Sequence, residues 1–133
     1  MKYILMMQFP LKSWRTDAMG LWPAEDQKAQ MAFLRRWSKE LTESGELVGS
    51  QGLAGWETAR IVTARPDGTP AVTDGPFPEA KEFLAGYSII DVESEARAFA
   101  IAAQLSAGPG PGGKPLNIPI EVRPVMHGPG DVG

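Results

Sequence analysis

Residues 74–91 read DGPFPEAKEFLAGYSIID, and this stretch decides the fold. Its first three residues, Asp74-Gly75-Pro76, are turn chemistry: an aspartate that bonds nearby backbone, a glycine free in φ, and a proline that presets it. Pro76 stiffens the corner and Phe77 is expected to plug the core. Glu79, Lys81 and Glu82 follow as a dense charged cluster, and residues 79–85 read as a short helical turn. From Gly86 to Val92 the chain reads as a strand, Tyr87-Ser88-Ile89-Ile90-Asp91-Val92. Its period of two puts Tyr87, Ile89 and Asp91 on one face and Ser88, Ile90 and Val92 on the other.

Upstream, Pro66-Asp67-Gly68-Thr69 is a turn between two short strand-like runs, 59–65 and 71–73, and predicts a hairpin. Residues 47–55 are glycine-rich and loop-like, with a short strand at the start. Tyr3 to Phe9, closed by Pro10, is an apolar run of strand formers and predicts a central strand. A loop over residues 10–22 carries Trp14 and Trp22. Pro23, with Glu25 and Asp26 after it, opens a helix. Its apolar stripe is Ala29, Phe33, Trp37 and Leu41 with Leu34 beside it, and Gly45 stops it.

Downstream, Ser94 is an N-cap. Ala98, Ile101, Ala102 and Leu105 then fall at i, i+3, i+4 and i+7, with Phe99 flanking that face. Residues 107–115 predict a mobile Gly/Pro loop, 118–126 the last strand, and 127–133 a tail. Strand, helix, hairpin, strand, helix, strand is the α+β, ferredoxin-like split βαβ pattern with an inserted β-hairpin. Two helices cover one face of such a sheet, so a homodimer is expected to bury the other.

The length of 133 residues suits one domain, here residues 1–127 with a flexible tail over 128–133. A hydrophobic fraction of 43% is enough for an ordinary core. A net charge of −3 and the absence of a basic stripe argue against direct binding of nucleic acid. There is no cysteine and a single histidine, His127, so no metal site is expected. No cofactor is expected either: Gly108 to Gly113 is interrupted by prolines and follows a helix, the wrong context for a dinucleotide fingerprint. The opening apolar run is too short for a membrane span and has no cleavage site after it, which predicts a cytoplasmic protein.

Several of these segments, in order, resemble the DGPF group of the YCII-related proteins: MKYILMMQ at the start, Asp74-Gly75-Pro76-Phe77, Glu79, Lys81-Glu82, Gly86-Tyr87, Ile89 to Val92, the Ala98/Ile101/Ala102/Leu105 helix, and Ile120 to Met126. The resemblance implies a dimeric α+β barrel and an association with extracytoplasmic-function sigma factors. It implies no reaction. A His–Asp pair proposed for typical relatives has no counterpart here, because His127 follows the last strand.

Asp74 reads either as a general base or ligand anchor, or as the residue that opens the turn. Glu79, Lys81 and Glu82 read as a solvated charged face or as ligand contacts. On the last strand Glu121, Arg123 and Val125 share a face. Tyr87, Glu121 and Arg123 therefore belong to the sheet face away from the helices. Arg123 there either forks onto an anionic ligand or pairs with Glu121 or Asp74 across a dimer. Trp14, Trp22 and Trp56 lie in loops, where one is expected to cap a pocket. Two functions stay open: a small-molecule-binding or accessory protein linked to sigma-factor regulation, and a cofactor-independent isomerase or lyase with Asp74 or a neighbouring carboxylate as base.

Overall fold

The computed structural model describes residues 1–13, 19–77 and 79–126. Trp14 and His127 lie outside the described residues. Six strands and two long helices follow the predicted order: β1 (Lys2–Pro10), α1 (Ala24–Glu43), β2 (Leu47–Gly52), β3 (Arg60–Ala64), β4 (Pro70–Asp74), β5 (Glu82–Asp91), α2 (Glu95–Ser106) and β6 (Ile120–Pro124). Four strands form an antiparallel sheet in the order β2-β5-β1-β6, the ferredoxin-like arrangement. β3 and β4 pair only with each other.

The period-two reading of β5 holds. Tyr3, Leu5, Ser88 and Ile90 are buried beneath the helices, where they meet Trp37 and Leu41 of α1 and Ala98, Ile101, Ala102 and Leu105 of α2. Leu5, Ile90 and Ile101 are fully buried, each stabilising the fold by roughly 1.5–3 kcal/mol relative to exposure. The Ser88 hydroxyl in this core is satisfied by Ser50 at 2.8 Å. On the opposite face Ile4, Met6, Tyr87 and Ile89 remain half-buried and Glu121 and Arg123 exposed.

Local chemistry sets the helix ends. Ser94 caps α2 by accepting a hydrogen bond from the Arg97 amide at 3.1 Å. α1 stops where Gly45 takes φ 79°, a left-handed conformation that lets the Glu46 amide reach back to the Leu41 carbonyl at 2.9 Å.

Several expectations need correction. Ala29 is exposed, and the α1 stripe is completed instead by Gln30, which is buried with Trp37 and Leu41. Phe77 is 60% exposed and plugs no core. Phe99 lies on the outer side of α2. β5 begins at Glu82, where a helical turn was expected, and residues 47–52 form an edge strand. The Gly/Pro loop after α2 is tied down: Gly110 N donates to Lys114 O at 2.7 Å and Leu116 N to Gly108 O at 2.8 Å. Gly108 is buried there with little room for a side chain, since a Cβ would fall 2.7 Å from Gln30 Oε1.

Candidate functional site

One irregularity shapes the end of the sheet. Met7 and Gln8 are consecutive on β1 but oppose Gly86 and Leu84 on β5, so Ala85 is an extra residue, a bulge. The bulge reverses the phase of β5, bringing Phe83 to the helix side opposite Phe9, with ring centroids 6.1 Å apart. The next strand across is held there by a hydrogen bond from Leu53 N to Ala85 O at 2.9 Å.

A cleft of about 850 Å³ opens beside this bulge, on the helix side of the sheet. The sheet contributes Met7, Phe9 and Ala85 to it, and α1 contributes Gln30 and Leu34. Trp22 lines it from the turn before α1, Trp56 from the short 3-10 turn after β2, and Leu116 and Ile118 from the approach to β6. A smaller chamber of about 480 Å³ adjoins it, sharing Phe9, Trp22, Leu116 and Ile118 and adding Glu82. The walls are overwhelmingly apolar. The one titratable side chain among the described residues of the larger cleft is Glu57. Two wall residues carry buried polar atoms without a hydrogen-bond partner, Gln30 Oε1 and Trp56 Nε1. Such atoms are costly in a packed wall; Trp37 Nε1 in the core is a third of the same kind.

The residues predicted from the sequence are distributed over three places. Tyr87, Met6 and Glu121 form one cross-strand row on the open sheet face, and Ile89, Ile4 and Arg123 the next row. Tyr87, Glu121 and Arg123 are thus brought together, but none of them lines the cleft. Asp74 ends the separate hairpin, where its 93%-exposed carboxylate meets Arg60 Nε at 3.5 Å. Within one chain its partner is Arg60, not Arg123. The charged cluster divides: Glu82 joins β5 and lines the smaller chamber, whereas Glu79 and Lys81 are exposed ahead of the strand. Trp22 and Trp56, the loop tryptophans within the described residues, both line the cleft. Sequence reasoning missed Gln30, Met7, Ala85 and Ile118, which meet only through the tertiary fold.

One half-buried connection was also missed. Arg97 of α2 forks onto Glu46, Nε to Oε2 and Nη2 to Oε1, both at 2.8 Å. The Ser44 hydroxyl adds a bond to Glu46 at 2.9 Å. The guanidinium, which outweighs the opposing desolvation, together with the Ser44 hydroxyl lowers the Glu46 pKa from 4.5 to about 2. This clamp joins the start of β2 to α2 and stands apart from the cleft lining.

Among the described residues there is no group of three or more His, Cys, Asp or Glu positioned for a metal ion, and no helix long and apolar enough to cross a membrane. The family model of the YCII-related domain matches residues 1–109. An uncharacterized protein of Rhizobium meliloti (strain 1021) is 33% identical over 113 residues, covering 84% of this chain and 86% of the relative.

Proposed function

The chain belongs to the YCII-related domain family, and from that premise we propose that it is a small-molecule-binding or accessory protein that works as a homodimer. The cleft carries this reading. Its volume of about 850 Å³ falls within the range of ligand sites, and its apolar walls with a few polar groups have the usual composition of one. Binding is favoured over catalysis because the only titratable side chain among its described wall residues is Glu57, so no acid–base pair faces a substrate there. Asp74, exposed and bridged to Arg60, lacks the enclosed setting in which a carboxylate becomes an effective base for an isomerase or lyase.

The homodimer uses the open sheet face. Ile4, Met6 and Ile89 supply an apolar centre, and Glu121 and Arg123 place opposite charges two residues apart on β6. A two-fold axis would set each arginine against the partner's glutamate, the self-complementarity an isologous interface requires. Tyr87, Glu121 and Arg123 then act at the subunit interface. The accessory role extends to regulation with an extracytoplasmic-function sigma factor, a link supported by the sequence resemblance alone.

A thermal-shift screen against fractionated metabolites tests the binding reading. At least one fraction should raise Tm for the native protein, and Ala85→Phe and Leu116→Trp, which fill the cleft, should each abolish that rise. A ligand whose effect survives both substitutions binds elsewhere and removes the cleft from the account.

A further inference from the structure

Among the described residues, the charged side chains of the cleft and its adjoining chamber are of one sign. Glu57 borders the larger space and Glu82 the smaller. No lysine or arginine lines either one among the described residues. Glu57 stays close to the 3-10 turn that carries Trp56, its carboxylate occupying the room left by the missing side chain of Gly55. Aromatic rings dominate the same walls: Phe9 and Trp22 border both spaces, and Trp56 the larger.

On the premise that the cleft binds small molecules, we infer that its ligand is an apolar molecule bearing a positive charge, a lipophilic amine or quaternary ammonium. An anion entering either space would lose hydration without gaining a cationic wall residue among those described, and would meet a carboxylate there. A cation gains a carboxylate in either space and the nearby indoles of Trp22 and Trp56, whose rings can attract ammonium groups. The positive end of α1 lies next to Trp22, but Glu25 and Asp26 in its first turn offset that field. An apolar body suits Met7, Leu34, Leu116 and Ile118, and the two joined spaces leave room for an elongated one.

Three dyes with one skeleton and different charge separate shape from sign: diphenylhexatriene, its trimethylammonium derivative and its propionate derivative. Fluorescence titration at low salt should rank them cation, neutral, anion, with the cation bound about tenfold or more tighter than the anion. Added salt should narrow the gap. Replacing both acids, Glu57→Gln with Glu82→Gln, should reduce it to about twofold, whereas Glu40→Gln on the exposed flank of α1 should leave it unchanged. Equal affinities, or tightest binding of the anion, would overturn the charge preference while leaving small-molecule binding in place. If none of the three dyes binds, the binding reading falls with it. A gap that persists in the double variant would remove Glu57 and Glu82 as its source.

Discussion

Glu46 and Arg97 stand 51 positions apart and make the best-formed ion pair among the described residues. Protonating Glu46 must break it. The carboxyl titrates near 4.5 when unfolded and about 2 when folded, so its contribution is complete above pH 4.5 and is lost as pH falls toward 2. Allowing for its partial contact with water, the contribution is roughly 1–2 kcal/mol. Glu46→Gln should therefore lower Tm by about 3–8 °C at neutral pH, and the difference from the native protein should shrink as the melt is repeated down to pH 2. An offset independent of pH would mean that the side chain acts through packing alone. No sequence pattern announces this pair, because only the fold sets its partners side by side. Gln30 was hidden for a different reason. A stripe drawn through apolar residues selects Ala29, yet α1 turns Gln30 inward with Trp37 and Leu41. Polarity concealed a buried position, and the same polarity marks it as a wall of the cleft.

The elements were more legible than their edges. Ser94 and Gly45 announced helix ends that the backbone confirms, because capping is decided within a few residues. The start of β5 was not legible. Glu82 is a poor strand former, and it enters the sheet through pairing with Pro10 of β1. The hairpin was legible from Pro66-Asp67-Gly68-Thr69, but its isolation was not. Of its strand residues only Ile61 and Ala71 are half-buried, and Val62 and Val72 face each other while more than half exposed. A two-stranded ribbon without a packed face is marginal in water. Backbone amides of residues 60–74 should consequently exchange at least about 100-fold faster than those of the central part of β1, as read by hydrogen-exchange mass spectrometry. Equal protection would show that the hairpin is covered in solution.

At the scale of the molecule, the sheet has one finished face and one unfinished one. Strand phase alone placed Tyr87, Glu121 and Arg123 on the unfinished face, since a period of two needs no tertiary knowledge. The cleft could not be read in this way: its walls come from β1, α1, a bulge and three loops, and only Trp22 and Trp56 drew notice as bulky residues in turns. If a second copy completes the sheet, sedimentation equilibrium should give twice the 14.3 kDa chain mass, and Met6→Arg at the centre of the open face should give a folded monomer. A native monomer at micromolar concentration would remove the dimer.

The central position of β1 also sets a timetable. Its neighbours are β5 and β6, so β1 leaves the ribosome with neither partner yet made. Roughly 70 residues separate it from β5, several seconds of synthesis at about 5–20 residues per second. Throughout that interval Tyr3, Leu5 and Met7 have no sheet to join, and the nascent chain must be kept from pairing with its neighbours on the polysome. The strand at the centre of the finished sheet is, during translation, the one that waits longest for its neighbours.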